Sequence, residues 1–232
     1  LGADTVSIPA GTYTLTITNA GGVDENVNDT GDLDVIGVTA LIGAGAASTI
    51  IQAGTTNANG IDKVLAFSPG CFSGISSSLS GVTVRFGRNT QPETDPFFSF
   101  TGGGIDVCNT GAGGFTMTNV TVTENNVTNG YGGGINIDTL APANGTFSIS
   151  GSTISNNRTS SAASILKNGG GINLLGDSHT VSISNSTISG NTSNALGGGI
   201  NVNHNIGGAI TISGSTISNN TAASRGGGVS NL

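Results

Sequence analysis

The sequence predicts an all-β protein built as a parallel β-helix, in which each repeat unit forms one coil stacked on the previous one. Composition gives the first indication: glycine occupies 40 of 232 positions and charged residues only 8%. Short alternating runs rich in Val, Ile and Thr favour strands, while Glu, Lys and Arg, which favour helices, are sparse. The third observation is a repeat of about 30 residues, carried by two motifs.

The first motif is ISGSTISNN, which occurs at 149–157 and again at 212–220. A near copy, ISNSTISGN, lies between them at 183–191, and a looser copy, NVTVTENN, lies at 119–126. A catalytic residue is rarely repeated in this way, so the repetition indicates architecture.

The second motif is a glycine triplet followed by Ile or Val. The apolar residues after the five triplets are spaced by 30, 37, 28 and 29 residues; they are Ile105, Ile135, Ile172, Ile200 and Val229. One copy of the first motif lies between consecutive triplets. A unit of this length has no room for an amphipathic helix, and a four-stranded propeller blade needs about 40 residues or more. A β-helix coil is therefore the remaining interpretation.

Alternation within the unit indicates which side chains face inward. Phe147, Ile149 and Ile154 are predicted to fill the core, because side chains alternate across a strand. When the coils are aligned on these positions, equivalent residues of successive coils form columns. The apolar core column is Val84, Val122, Ile154, Ile188 and Ile217, and the threonine column beside it is Thr83, Thr121, Thr153, Thr187 and Thr216. Two further columns are rich in asparagine: Asn125, Asn157, Asn191 and Asn220, and Asp106, Asn136, Asn173 and Asn201. Asparagines stacked at about 4.8 Å hydrogen-bond along a ladder, and we expect these same asparagines to adopt the left-handed conformations that sharp corners need.

Residues 1–100 are less regular than residues 101–232, but they show the same short strands separated by Gly and Pro turns. We therefore predict one β-helix domain over residues 1–232, with roughly eight coils.

The segments GADTVSIPAGTYTLTI, TGDLDVIG and LIGAGAASTIIQA, followed by the GGGI repeats, resemble bacterial surface β-helix proteins that carry a CSLREA domain. More loosely, the GGGI repeats are similar to those of polymorphic outer-membrane proteins and adhesin passenger domains. The resemblance implies export, a right-handed parallel β-helix, and a surface or adhesive role.

Charge and hydropathy exclude several classes of partner. A net charge of −7 and a pI near 4.4 argue against binding to nucleic acid, which relies on Lys and Arg, and against an anionic membrane surface. No apolar stretch approaches the roughly 20 residues that span a bilayer.

The two cysteines are predicted to form a disulfide. Cys71 lies 13 residues before Val84, and Cys108 lies 14 before Val122, so the cysteines occupy nearly the same position on adjacent coils. Neighbouring strands are at the Cα separation that a disulfide requires. A disulfide indicates an oxidising, exported compartment and hence an extracellular or cell-surface location.

One acidic segment suggests a cofactor site. Acidic residues cluster in VDENVNDTGDLDV, where Asp24, Asp29, Asp32 and Asp34 are candidate Ca²⁺ ligands, although a solvated acidic loop explains them as well. We expect no other cofactor.

Catalysis is also weakly indicated. Asp106 and Asp138 are candidates for a general acid and base of a polysaccharide-cleaving enzyme. The six basic residues are scattered, however, and Asp106 falls where other coils have Asn. We therefore expect no enzyme.

Two features of the surface suggest further roles. The outward hydroxyl pairs resemble the faces of ice-binding β-helices, although ordinary strand propensity explains them too; the pairs are Thr121/Thr123, Thr153/Ser155, Thr187/Ser189 and Thr216/Ser218. Eight Asn-x-Ser/Thr sequons occur, about the number that chance predicts from this composition, so glycosylation is only weakly indicated.

The sequence as a whole favours a non-enzymatic, exported structural or adhesive β-solenoid. If the chain is the mature subunit, we expect homo-oligomers or filaments through the open solenoid ends. Glycans are a possible class of ligand. A polysaccharide-binding or polysaccharide-cleaving β-helix and an ice-binding protein are the alternatives.

Overall fold

The computed structural model describes residues 4–19, 28–69, 71, 76–90, 102–110, 112–128, 130–140, 145–160, 168–176, 180–204 and 208–231. All regular structure in these residues is β-strand, and the described strands pair in parallel. The strands form four sheets that run along the stack, which confirms the predicted β-solenoid.

Two long sheets carry the alternating strands of each coil. Sheet 1 contains β1 (Asp4–Ile8), β4 (Thr39–Gly43), β7 (Ser76–Ser80), β11 (Gly114–Thr118), β15 (Thr146–Ser150), β19 (Thr180–Ser184) and β23 (Ile210–Ser213). Sheet 2 contains β2 (Gly11–Thr14), β5 (Thr49–Gln52), β8 (Thr83–Arg85), β12 (Thr121–Thr123), β16 (Thr153–Ser155), β20 (Thr187–Ser189) and β24 (Thr216–Ser218).

The two other sheets complete each coil. Sheet 3 is made of two-residue strands, namely β9 (Arg88–Asn89), β13 (Asn126–Val127), β17 (Arg158–Thr159), β21 (Thr192–Ser193) and β25 (Thr221–Ala222). Sheet 4 contains β3 (Leu33–Val35), β6 (Leu65–Phe67), β10 (Ile105–Thr110), β14 (Ile135–Leu140), β18 (Ile172–Gly176), β22 (Ile200–His204) and β26 (Val229–Asn231).

The described strands make seven coils, numbered from the first strand of sheet 1, where the repeat spacing predicted roughly eight. Along sheet 1 the register advances by 35, 38, 38, 32, 34 and 29 residues from coil to coil. The first coils are therefore longer than the repeat unit from which the number was estimated, and fewer of them fit into the chain.

The core lies between the sheets and consists of stacked aliphatic and aromatic side chains. The predicted core column is in register, with Val122 paired to Val84 and Ile154, and Ile188 paired to Ile154 and Ile217. Phe147, Ile149 and Ile154 are fully buried, as predicted. Burial of such columns is the main driving force for stacking, at about 25 cal/mol per Å² of apolar surface.

Candidate functional site

The corner between sheets 2 and 3 holds a ladder of asparagines, which we call the corner ladder: Asn125, Asn157, Asn191 and Asn220. The Nδ2 atoms of the first three donate to the Oδ1 of the next coil, each over 3.0 Å. Each Nδ2 also donates to a backbone carbonyl of the coil before, as Asn157 does to Val122 O at 2.9 Å. The Oδ1 atom accepts the backbone N–H of the preceding asparagine, as from Asn125 N at 3.1 Å. The first three asparagines are buried to 1% exposure or less, so the ladder satisfies polar groups that water does not reach.

The glycine triplet makes room for this ladder. A Cβ on Gly134 would lie 2.8 Å from Asn157 Nδ2, so the third glycine of the triplet has to lack a side chain. A Cβ on Gly133 would lie 2.5 Å from Gly170 O in the next coil. Gly132 has φ +64°, which favours glycine. The two repeated motifs are therefore two sides of one contact: the asparagine of one coil packs on the triplet of the coil before.

Sheet 4 carries a second ladder, the strand ladder, formed by Asp106, Asn136, Asn173 and Asn201. Asn136 Nδ2 donates to Asp106 Oδ1 at 3.0 Å, Asn173 to Asn136 at 2.9 Å, and Asn201 to Asn173 at 2.9 Å. These amides donate toward the preceding coil, opposite to the direction in the corner ladder. Asp106 ends the ladder as an acceptor, which explains why a carboxylate stands where the other coils have Asn.

The left-handed backbone positions lie beside the ladders, so the expectation that the ladder asparagines adopt this conformation is wrong. In the corner ladder, the residue with positive φ is the one before the ladder asparagine: Glu124, Asn156 and Asn219 all have φ near +55°. In the NN pairs at 156–157 and 219–220, the first asparagine therefore turns the corner and the second forms the ladder.

A second set of left-handed residues turns the corner between sheets 1 and 2, and here glycine and asparagine alternate from coil to coil. The set is Gly81, Asn119, Gly151, Asn185 and Gly214. A Cβ on Gly151 would lie 2.6 Å from Asn119 Oδ1, and one on Gly214 would lie 2.6 Å from Asn185 Oδ1. Each asparagine side chain thus occupies the space over the next coil's glycine. This packing explains why the near copy at 183–191 exchanges Gly and Asn at both corners.

Asp138 is a buried titratable group with a strongly shifted pKa. Burial, and then the charge of Asp106, raise its pKa from 3.8 to about 7, while the hydrogen bond from the Thr139 backbone acts in the opposite direction. The two residues are not directly paired: Asp106 lies opposite Asn136, and Asp138 lies opposite Cys108. Both side chains are buried, at 7% and 4% exposure. The pair has the chemistry of a general acid and base, but neither carboxyl faces bulk solvent.

The predicted hydroxyl pairs form two columns on the outer face of sheet 2. Thr121, Thr153, Thr187 and Thr216 are in register, and so are the second members of the pairs. Thr123 and Ser155 hydroxyls are 3.2 Å apart and hydrogen-bonded to each other. Arg85 takes the corresponding place in coil 3 and stacks on Phe86, with the guanidinium carbon 4.6 Å from the ring centroid.

Cys71 and Cys108 form the predicted disulfide, with a Cα–Cα distance of 4.8 Å. Cys71 follows β6 in coil 2 and Cys108 lies in β10 of coil 3, so the bond joins two successive coils. Both cysteines are buried.

The structure describes part of the acidic segment in which Ca²⁺ ligands were predicted. Asp24 lies outside the described residues, and Asp29 is exposed. Asp32 and Asp34 are buried; Asp34 accepts the Asn28 N–H at 3.1 Å, and Asp32 lies 3.7 Å from the ammonium of Lys63. Among the described residues, no group of three or more His, Cys, Asp or Glu side chains comes together as a metal site. The burial of Lys63 was not predicted, because nothing in the local sequence distinguishes a buried lysine from an exposed one.

A shallow groove of about 430 Å³ follows the corner between sheets 1 and 2. Its lining is small or polar, and includes Gly45, Ser80, Asn119 and Thr153. Neither a charged nor an aromatic side chain contributes to this lining, so the groove offers mainly backbone and hydroxyl groups to a ligand.

Comparisons with known proteins add no relative. No family model, curated protein or solved structure matches the chain significantly. In the part of the chain that the structure describes, no helix is long and apolar enough to cross a membrane. The β-solenoid fold therefore stands on the sequence repeat and the structure, and the resemblance to CSLREA-type surface proteins stays a prediction.

Proposed function

We propose that this chain is a non-enzymatic, rod-forming segment of an exported surface protein with a structural or adhesive role. The observation that carries the proposal is the use of the repeated polar residues. Asparagines that recur in every unit of the second half are buried in two hydrogen-bonded ladders that bind coil to coil. A chain whose repeated residues serve stacking is suited to act as a stiff spacer or scaffold.

The disulfide supports the exported location. Disulfides persist in oxidising compartments and are rare where thiols are kept reduced, and the bond here is buried between two coils. The resemblance to CSLREA-type and polymorphic outer-membrane-like repeat proteins agrees with this location. Alkylation of free thiols in the native source, before and after reduction, tests it: we expect both cysteines to be blocked until reduction. Two free thiols in the native source would contradict export to an oxidising compartment.

The adhesive role requires a ligand, and glycans are the class that the surface suits. The corner groove and the outer faces present hydroxyl and amide groups that hydrogen-bond to sugars. A glycan array probed with the labelled chain tests this role. Binding that is lost when Gly45→Trp fills the groove would support it, and a lack of binding to any glycan would leave the structural role alone.

Self-association is the second part of the proposal. Coils 1 and 7 expose apolar side chains at positions that are buried in the interior coils. The exposed fractions are 47% for Val6 in coil 1, and 37% for Ile212 and 41% for Val229 in coil 7. Further coils of a longer chain would cover them as well as a second copy would. Electron microscopy of the chain with and without its natural flanking sequence separates these cases. Filaments formed by the full native chain support self-association, and a monodisperse full chain excludes it.

Two alternatives each have one observation in their favour. The raised pKa of Asp138 beside Asp106 favours a carbohydrate-active enzyme. Turnover of a polysaccharide that is abolished by Asp138→Asn would establish it, and a panel of acidic and neutral polysaccharides without turnover would remove it. The hydroxyl columns of sheet 2 favour ice binding. Thermal hysteresis that is lost on Thr153→Tyr would establish this function, and its absence in the unmodified protein would remove it.

A further inference from the structure

Lys63 is a buried lysine that faces a buried aspartate of the neighbouring coil. Its Nζ lies 3.7 Å from Asp32 Oδ1, and the two side chains are 2% and 1% exposed. Asp32 directly precedes β3 in coil 1, and Lys63 lies two residues before β6 in coil 2. From this geometry we propose that Lys63 and Asp32 form an intramolecular isopeptide bond, an amide between Lys63 Nζ and Asp32 Cγ.

The reaction balances without a co-reactant. A proton first passes from the ammonium to the Asp32 carboxylate, which gives a neutral amine and a carboxylic acid. The Nζ lone pair then attacks Cγ, the Nζ–Cγ bond forms, and one Cγ–O bond breaks. The departing oxygen leaves as water and carries two of the three protons of the ammonium group. An ammonium and a carboxylate thus become a neutral amide and water, with no oxidant, reductant or activating nucleotide.

The burial of the pair makes the loss of both charges favourable. Desolvating an ammonium and a carboxylate costs several kcal/mol per ion, and the mutual attraction repays this cost only with excellent geometry. At 3.7 Å the contact is longer than a good charge-assisted hydrogen bond of about 2.7–2.9 Å. Condensation removes both charges, and exclusion of water from the site disfavours hydrolysis. Held within one folded core, the two groups also react at a high effective concentration.

The surroundings hold the reacting groups in place. Asp62 Oδ1 accepts the backbone N–H of Lys63 at 2.7 Å, and Asp62 Oδ2 accepts Asn19 Nδ2 at 2.6 Å. A Cβ on Gly31 would lie 2.6 Å from Asp62 Oδ2, so the coil 1 backbone approaches the site closely just before Asp32. The lysine backbone is thus fixed against the segment that carries its partner.

The position of the bond along the stack gives it a structural purpose. In coils 1, 2 and 3, the strand-ladder column is Asp34, Ala66 and Asp106, so the asparagine ladder begins only at coil 4. The disulfide joins coil 2 to coil 3. An isopeptide bond between coils 1 and 2 would complete a series of covalent links through the coils that the asparagines do not hold.

The first test is the mass of the unmodified protein after reduction and denaturation. With the bond, the intact mass falls below the sequence mass by about 18 Da, the mass of the water lost. The chain has two lysines and one α-amino group, so exhaustive amine labelling adds two groups with the bond and three without it. Trypsin is expected to leave residues 1–85 as one peptide, since the bond blocks cleavage after Lys63.

Two variants identify the atoms. Lys63→Arg keeps a cation but removes the attacking amine, so the mass deficit should disappear and trypsin should cut at position 63. Asp32→Asn should still form the bond, now with release of ammonia and a deficit of about 17 Da. A cyclic imide at an aspartate also removes water, but it would persist in the Lys63→Arg variant and leave all three amines reactive. Full mass and three reactive amines in the unmodified protein would overturn the proposal, and this measurement needs no variant to fold.

Discussion

Replacing Asn157 by Ala removes one member of the corner ladder and tests how strongly the ladder holds the coils together. The side chain takes part in four hydrogen bonds: to Val122 O at 2.9 Å, to Asn191 Oδ1 at 3.0 Å, and from Asn125 N and Nδ2 at 3.1 and 3.0 Å. Its residue is 1% exposed, so water cannot replace the lost partners without opening the corner.

The magnitude follows from the groups left behind. The Asn125 N–H loses its acceptor and Val122 O loses the donated amide, and an unsatisfied buried polar group costs about 1–3 kcal/mol. The amide of Asn125 keeps its contact with Val84 O at 3.3 Å, so its loss is smaller. We expect Asn157→Ala to lower the free energy of unfolding by about 4 kcal/mol, measured by urea denaturation followed by circular dichroism.

The neighbouring asparagine provides a matched control. Asn156 has the same side chain one position earlier, but it is exposed and has φ +55°. Asn156→Gly removes that side chain at a backbone conformation glycine accepts, so we expect a change within about 0.5 kcal/mol. Equal effects of the two substitutions would refute the reasoning, because the ladder would then contribute no more than a surface asparagine.

Two further predictions concern the alternating corner and the buried carboxyl. Gly151→Ala should destabilise the chain by about 1–2 kcal/mol, because position 151 has a left-handed φ and the new Cβ would contact Asn119 Oδ1. In an Asn119→Gly background that contact is absent, so a double-mutant cycle should show a coupling above about 0.5 kcal/mol. Additive effects of the two substitutions would contradict the packing explanation. Because the pKa of Asp138 is raised to about 7 in the folded chain, the folded chain keeps a proton that the unfolded chain loses above pH 3.8. The contribution of Asp138 to stability is therefore fully present below pH 3.8 and is lost as the pH rises toward 7, by up to about 4 kcal/mol. Asp138→Asn should be more stable than the unmodified protein at pH 8 and should lack this part of the pH dependence. An unchanged slope between pH 4 and 7 would refute the assignment.

The sequence alone predicted the features that depend on periodicity. Alternation places Phe147 and Ile149 inward and the repeat aligns Val122 with Ile154, because strand geometry permits only one register that buries all of these side chains. The disulfide followed from the same alignment. These features depend on spacing along the chain, which a single sequence displays in full.

Several details of the contacts between coils were not predicted. Which asparagine of the NN pair forms the ladder depends on φ, and Asn156 and Asn157 are chemically identical. The Gly–Asn exchange in the near copy was visible, but its cause is a side chain lying over the next coil's glycine. The number of coils was overestimated because the first coils are longer than the repeat. Burial of Lys63 results from packing against coil 1, and no local pattern encodes it.

The central claim is that identical segments stack in register as adjacent coils, and engineered disulfides test it most directly. Ser155 and Ser189 are paired neighbours on sheet 2, and Ser218 is one coil further. Adjacent strands lie about 4.8 Å apart, within the Cα range of about 4.4–6.8 Å that a disulfide needs, whereas a two-coil separation is about twice as long. We predict that Ser155→Cys/Ser189→Cys oxidises to an intramolecular disulfide and that Ser155→Cys/Ser218→Cys keeps two free thiols. A disulfide in the second variant but not in the first would contradict the stacked-coil register.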